Sequence, residues 1–161
     1  MLTTSVEISV RDKVLVLRSD PRLGGLDAEA TALLATHAAW RRYNAGESLL
    51  SEGESIREVF ILAEGSVEVR TPHGPLLIEA PGGIGWPNYF CELPAFESVA
   101  TQPTAALVIS TSVVEDFFEL NFSFLRNSLR LVSQTVLQRR GGLPPGPETL
   151  SDPGPAPMGE A

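Results

Sequence analysis

The chain has 161 residues, 43% of them hydrophobic, with 20 acidic against 12 basic residues and a formal net charge of −8. That length fits one domain of ordinary size, and the hydrophobic fraction is sufficient for a buried core. The acidic balance counts against a nucleic-acid-binding protein, because such affinity rests mainly on Lys and Arg side chains that neutralise phosphates.

Several other classes of protein are excluded by composition or by motif. The single cysteine, Cys91, excludes an internal disulfide and a cysteine-based zinc finger. The two histidines, His37 and His73, lack carboxylates at metal-ligand spacing, so we expect neither a metal site nor a catalytic site. No apolar run reaches the roughly 18 residues of a membrane span, and the N-terminus does not resemble a secretory signal. We therefore expect a cytoplasmic protein that is not an enzyme.

The first part of the chain has the pattern of two helices. Apolar residues recur within Arg11–Arg18, which predicts a first helix. Asp27 is a suitable N-cap for a second helix over Ala28–His37. Gly24-Gly25 and the preceding Asp20-Pro21 separate the two helices.

From Trp40 to Ile109 the pattern changes to short apolar strands separated by glycine-containing turns. Val67 and Val69 alternate with polar residues, as in a strand with one buried face. Turn signals recur at about 8–12 residues, which is typical of an all-β barrel or sandwich. Pro81-Gly82-Gly83 predicts a break in the chain. The predicted strands are Trp40–Tyr43, Ser48–Leu50, Val59–Leu62, Val67–Arg70, Leu76–Ile78, Ser98–Thr101 and Ala106–Ile109.

Two helices are predicted after the strands. Ser112 to Glu115 forms a capping-box sequence for the first. Asn121 is a candidate cap for the second, which runs to Arg140. Five apolar residues of this second helix form a continuous stripe, which is either a dimer seam or a face packed on the barrel. The stripe consists of Phe122, Leu125, Leu129, Val132 and Val136.

The last 21 residues, 141–161, have a different composition from the rest. They contain six of the 13 prolines and lack apolar periodicity. Such a segment buries too little apolar surface to offset its ordering entropy. We therefore predict one domain over residues 1–140, followed by a disordered Pro/Gly-rich tail.

This order of elements, helices, glycine-punctuated strands and a helix pair, resembles the cyclic-nucleotide-binding domain over residues 14–140. The resemblance implies a mainly β fold, a jelly-roll barrel with N-terminal helices and a C-terminal helix pair. It is similar to the sensor domain of bacterial catabolite activators, without their helix-turn-helix domain. The segments that carry the resemblance are Leu23–Asp27, Arg42–Leu49, Ser51–Glu54, Val59–Val69 and Ala100–Ile109.

In this family the ligand lies against a segment between two barrel strands, which opens with Phe-Gly-Glu and later supplies an Arg. The Glu accepts a hydrogen bond from the ribose hydroxyl, and the Arg pairs with the phosphate. Here the opening falls on Ile84-Gly85-Trp86, and the Arg position falls on Pro94 or Ala95. The sequence Phe90–Leu93 is also similar to the opening of this motif, but too few residues separate it from Ala100 for it to be the motif.

The resemblance also supplies candidate site residues. Between Arg70 and Arg126 there is neither Lys nor Arg, so the candidate phosphate partners are Arg70, Arg126 and Arg130. Trp86 either stacks on a base or fills an emptied pocket. The candidate pocket residues are Ile84, Gly85, Trp86, Pro87, Asn88, Phe96 and Ser98.

The expected function is that of a stand-alone regulatory module with an atypical phosphate-binding segment, which acts through an unidentified protein partner. Without the Glu and the Arg, we expect weak or no binding of cyclic AMP or cyclic GMP and no other cofactor. The alternative is a sensor of a cyclic nucleotide or another small ligand that uses non-standard residues. The long last helix mediates dimers in proteins of this family, which favours a homodimer here.

Overall fold

The computed structural model describes residues 7–139, and all statements on the fold concern that range. The chain divides into two compact units, one ending at Ser128 and one beginning at Leu129. The predicted tail, 141–161, lies outside the described residues. The helices are α1 (Val10–Ser19), α2 (Ala28–His37), α3 (Trp86–Phe90), α4 (Thr111–Leu120) and α5 (Phe122–Arg139), with a 3-10 turn at Pro21–Leu23. The strands are β1 (Ala39–Tyr43), β2 (Ser48–Leu50), β3 (Glu58–Glu64), β4 (Ser66–Thr71), β5 (Gly74–Glu79), β6 (Gly82–Ile84), β7 (Ser98–Ala100) and β8 (Thr104–Ser110).

The two N-terminal helices begin at side-chain caps, as their sequences indicate. The Ser9 hydroxyl accepts a hydrogen bond from the Asp12 backbone N–H at 3.2 Å and starts α1. Asp27 accepts from the Ala30 backbone N–H at 2.7 Å and starts α2 at the predicted residue. Both predicted helices are therefore confirmed.

The eight strands form two antiparallel four-stranded sheets. The first has the order β1-β8-β3-β6 and the second the order β2-β7-β4-β5. The predicted strands Val67–Arg70 and Leu76–Ile78 lie in β4 and β5, which pair as an antiparallel hairpin with Val67 opposite Ile78. Two facing sheets with flanking helices are the expected jelly-roll barrel architecture.

The core is divided by the first sheet into two clusters, because successive strand residues point to opposite faces. Val59 and Ile61 of β3 face the helices, in a cluster we call the helix-side cluster, which includes Leu17 and Leu34. Phe60 and Leu62 of the same strand face the second sheet, in the inter-sheet cluster. Members of the inter-sheet cluster are Leu50, Phe60, Leu62, Val67, Ile84, Ala95, Ala106 and Val108.

Two local predictions differ from the structure. The expected break at Pro81-Gly82-Gly83 contains β6, whose Gly82 and Gly83 pair with Leu62 and Ile61 of β3. Glycines carry no side-chain pattern, so only the pairing partner reveals this strand. Helix α4 begins at Thr111, so Ser112 lies within the helix and is not its cap. The long last helix is confirmed over Phe122–Arg139.

Candidate functional site

The segment between β6 and β7 is the one that the resemblance assigns to the ligand, and Gly85 opens it. Gly85 has a φ of 84°, in the left-handed region that favours glycine. A Cβ at this position would meet Leu50 Cδ1 at 3.4 Å and the Glu58 carbonyl oxygen at 3.5 Å. These distances are ordinary contacts, so it is the left-handed φ that favours glycine where α3 begins directly after β6.

After α3 the segment is closed by its own hydrogen bonds. The buried Asn88 side chain donates from Nδ2 to the Pro94 carbonyl oxygen at 2.7 Å. The Leu93 backbone N–H donates to the Asn88 carbonyl oxygen at 2.8 Å, and Cys91 N–H donates to that of Pro87 at 3.0 Å. Asn88 is thus a structural bridge across this turn, with its amide donor already engaged.

Trp86 packs on the helix side of the first sheet. Its side chain is 3% exposed, and Nε1 donates to the Phe60 carbonyl oxygen at 3.1 Å. The Arg22 guanidinium lies over the ring, 4.5 Å from its centroid. The ring is a buried member of the helix-side cluster with Arg22 over one face, so it is not open for stacking on a base.

Arg22 forms a cluster that the sequence did not indicate. Its Nε donates to Asp20 Oδ1 at 2.9 Å, and a second guanidinium nitrogen contacts the other oxygen of this carboxylate, which is buried. A Cβ on Gly83 would overlap the guanidinium, so the glycine in β6 leaves room for it. Asn127 of α5 donates to the Pro21 and Arg22 carbonyl oxygens at 2.8 and 2.9 Å. The cluster joins the 3-10 turn, β6 and the start of α5.

At the expected arginine position the structure places a buried methyl group. Ala95 is 2% exposed and belongs to the inter-sheet cluster. Its backbone N–H donates to the Glu54 carbonyl oxygen at 2.8 Å, and its carbonyl oxygen accepts from Gly53 N–H at 3.0 Å. Pro94, the other assignment for this position, is exposed. Neither residue supplies a charge for a phosphate.

The candidate cations are on the surface, and one of them is paired. Arg70 donates to Glu97 Oε2 at 2.6 Å and to Glu68 Oε1 at 3.3 Å. The hydrogen bonds with Glu68 and Glu97 raise the pKa of Arg70, so the guanidinium is charged and paired with these two carboxylates. Arg126 is exposed on α5, and Arg130 belongs to the second unit.

The remaining candidates do not converge on one cavity. Ile84 lies in the inter-sheet cluster, and Pro87 is exposed. Phe96 is half-buried, and its carbonyl oxygen accepts from the buried Ser98 hydroxyl at 3.1 Å. These residues therefore divide between the protein interior, the surface and local hydrogen bonds.

A cleft of about 600 Å³ lies on the outer side of the same segment, between α3 and α4. Its aromatic lining includes Tyr89 and Phe90, which directly follow the candidate residue Asn88 in the sequence. Tyr89 Oη donates to Glu115 Oε1 at 3.2 Å. Burial and the Glu115 carboxylate raise the pKa of Tyr89 to about 12. The apolar and aromatic side chains of this α3–α4 cleft are Ile56, Tyr89, Phe90, Leu93, Pro94, Phe118 and Leu125.

Within residues 7–139 no three His, Cys, Asp or Glu side chains are grouped as metal ligands. None of the helices in the same range is long and apolar enough to cross a membrane.

Comparison with sequences of known proteins identifies no relative. No family model matches the chain. No curated protein matches it significantly either.

Solved structures, in contrast, match the fold. The sensor domain of the transcriptional regulator DNR from Pseudomonas aeruginosa has a TM-score of 0.70 and 19% identity, over 88% of this chain and 97% of that one. The catabolite activator protein of Thermus thermophilus has a TM-score of 0.64 and 18% identity, over 75% of this chain and 60% of that one. The chain thus has the fold of cyclic-nucleotide-binding regulatory and sensor domains.

A third similar structure is the regulatory subunit of a cAMP-independent protein kinase A from Trypanosoma cruzi, bound to guanosine. Its TM-score is 0.57 and its identity 25%, over 63% of this chain and 38% of that one. The chain therefore spans less than two thirds of the length of the Thermus thermophilus activator and of the Trypanosoma cruzi subunit.

Proposed function

We propose that this chain is a regulatory module, not an enzyme, that binds cyclic AMP and cyclic GMP weakly or not at all and acts through partner proteins. The observation that carries this proposal is Ala95. Where the resemblance expects the phosphate-binding arginine, Ala95 places a methyl group in the inter-sheet cluster. An atypical phosphate-binding segment is the feature that distinguishes this chain from nucleotide-binding members of the fold.

The expected loss of affinity is large. A hydrogen bond to a charged group contributes about 1.5–3 kcal/mol, and an unpaired phosphate adds a desolvation cost. Loss of the Arg and Glu partners together weakens binding by roughly 3–6 kcal/mol, a factor of hundreds or more. Arg70 does not replace the missing cation without giving up its ion pairs with Glu97 and Glu68.

A ligand without a phosphate is the second candidate. The Trypanosoma cruzi subunit is described as cAMP-independent and is bound to guanosine, a nucleoside that carries no phosphate. A site without a cation suits such a neutral ligand better than a cyclic nucleotide. The module would then be a sensor of a small ligand that uses non-standard residues.

Titration calorimetry with cyclic AMP, cyclic GMP and guanosine tests both candidates. We expect dissociation constants above about 100 µM for both cyclic nucleotides, since a missing charged pair costs about two decades of affinity. The Arg70→Ala variant is the control and should leave these titrations unchanged. A cyclic-nucleotide dissociation constant in the low micromolar range contradicts the proposal, and its loss in Arg70→Ala would identify the replacement cation. Binding of guanosine alone would favour the second candidate.

We also propose that the module forms a homodimer through α5. Phe122, the first residue of the apolar stripe, is 71% exposed at the start of this helix. Each leucine buried in such a seam contributes about 1.5–3 kcal/mol. Summed over the stripes of both copies, this contribution is sufficient for a micromolar dimer once the entropic cost of association is subtracted.

Sedimentation velocity distinguishes this seam from a packed core face. Leu129→Glu combined with Val132→Glu should convert the dimer into a folded monomer, because both changes lie on the stripe. Gln134→Glu combined with Gln138→Glu adds the same charge off the stripe and should leave the dimer intact. A wild-type monomer, or unfolding of the Leu129/Val132 variant, would show that the stripe is not a dimer seam.

A further inference from the structure

We infer that the α3–α4 cleft is a docking site for a basic amphipathic segment of a partner protein. The apolar face of that segment would lie on the aromatic lining, and its Lys or Arg side chains would face the carboxylates of the cleft. The inference rests on the proposed action through partner proteins and gives the chemistry of the partner.

Apolar side chains are exposed at the concave surface of the cleft. Phe90 and Leu93 are 37% and 48% exposed, and both line the cleft. The Phe90 ring lies 5.4 Å from the half-buried ring of Phe118, so the aromatic surface continues from α3 to α4. Apolar side chains grouped in this way mark interaction sites more often than scattered ones do. Covering them would contribute about 25 cal/mol for each Å² of apolar surface removed from water.

Hydrogen bonds fix the turn on which these side chains lie. The Asn88 side chain holds the Pro94 carbonyl oxygen at 2.7 Å, and Leu93 N–H donates to the Asn88 carbonyl oxygen at 2.8 Å. The anchors are therefore positioned before a partner arrives. Binding to a preorganised surface loses less conformational entropy than binding to a mobile one.

The charged side chains that line the cleft are negative. Glu92 and Glu115 line the cleft and are exposed, and none of its lining residues is Lys, Arg or His. With its pKa raised to about 12, Tyr89 is a neutral donor to Glu115 at physiological pH and does not cancel this charge. Complementary potentials speed association and suppress wrong partners, so the occupant that fits is cationic.

The C-terminal tail of this chain does not meet that requirement. Residues 141–161 contain Glu148, Asp152 and Glu160 but neither Lys nor Arg, so their charge has the same sign as that of the cleft. A basic amphipathic helix of a partner has the required charge. Its apolar anchors, spaced three and four residues apart, also enter a groove from one face. The volume of about 600 Å³ is suited to a few such side chains.

The test uses a fluorescein-labelled helical peptide of Leu and Lys, about 15 residues long, titrated with the whole chain and followed by fluorescence anisotropy. We expect a dissociation constant in the low micromolar range at about 0.1 M salt. The same peptide with Glu in place of every Lys should not bind. A spin label on Cys91, which is exposed next to the cleft residue Phe90, reports independently whether the peptide lies there.

Matched variants separate the cleft from general electrostatic attraction. Glu92→Lys combined with Glu115→Lys should weaken binding at least about tenfold, and Leu93→Ser at least about fivefold. Glu64→Lys combined with Glu79→Lys makes the same change of charge at exposed strand ends that do not line the cleft, and binding should stay within about twofold. Circular dichroism confirms that each variant is folded.

Three outcomes would overturn the inference. The first is that the Leu/Lys peptide does not bind. The second is that the control pair Glu64→Lys and Glu79→Lys weakens peptide binding as much as the cleft pair does, which would show attraction to net charge alone. The third is a wild-type dimer that Glu92→Lys with Glu115→Lys converts to a monomer, since the occupant would then be a second copy. The cyclic-nucleotide titrations are independent of all three, so failure of the proposed ligand behaviour and failure of this docking site are distinguishable.

Discussion

Replacing Arg22 by alanine is expected to lower the free energy of unfolding by about 3–5 kcal/mol, because it leaves the buried carboxylate of Asp20 without its partner. Asp20 is 2% exposed and receives two contacts from the Arg22 side chain. The substitution also removes the guanidinium from the face of Trp86, where it lies 4.5 Å from the ring centroid. The remaining hydrogen bond to Asp20, from the Arg22 backbone N–H at 2.9 Å, survives but does not supply a charge.

Arg41→Ala is the matched control for this experiment. Arg41 also pairs with a carboxylate through two hydrogen bonds, at 2.7 and 2.8 Å to Glu58, but these side chains are 46% and 38% exposed. An exposed pair contributes about 0–1 kcal/mol, so its loss should be small. Urea unfolding followed by circular dichroism measures both variants. If Arg22→Ala and Arg41→Ala lower the unfolding free energy equally, burial of the Asp20 pair has no energetic importance. Asp20→Asn in the Arg22→Ala background should recover part of the stability.

Gly65→Ala is expected to cost about 2–5 kcal/mol of unfolding free energy, from backbone strain and steric overlap together. Gly65 joins β3 to β4 with a φ of 88°, which L-residues rarely adopt. An added Cβ would lie 2.6 Å from the Pro103 carbonyl oxygen and 2.8 Å from Thr104 Cα, both backbone atoms that cannot move aside as a flexible side chain does. The buried hydrogen bonds between Thr104 and Ser66 lie at the same point.

The control for this prediction is Gly46→Ala. Gly46 has a φ of 90°, and nothing lies within 4 Å of an added Cβ. The decrease in unfolding free energy caused by Gly46→Ala should reflect backbone strain alone, about 1–2 kcal/mol. Thermal and urea unfolding of the two variants give the difference directly. If the two substitutions cost the same, the close approach at Gly65 has no energetic consequence and the prediction is wrong.

The candidate ligand segment has some features that are readable from the sequence and others that depend on tertiary contacts. The resemblance places the opening of this segment at Ile84-Gly85-Trp86, and in the structure Gly85 has a positive φ directly before α3. The absence of Lys and Arg between Arg70 and Arg126 is likewise readable from the sequence and is the basis of the expected weak nucleotide binding. The α3–α4 cleft has no local signal in the sequence, because it forms only where α3 meets α4 about 25 residues further along the chain.

The sequence by itself determined the strands and helices that have a local signal. The alternation at Val67 and Val69 reflects a buried face, and Asp27 caps α2, since both depend on residues only a few positions apart. Only the tertiary structure decided that Gly82 and Gly83 form a strand, because their partners are in β3. It also decided which side of the sheet Trp86 occupies, through Arg22, a neighbour 64 positions away in the chain. Periodicity reports contacts between near neighbours in the sequence, whereas contacts between distant segments follow from packing of the whole domain.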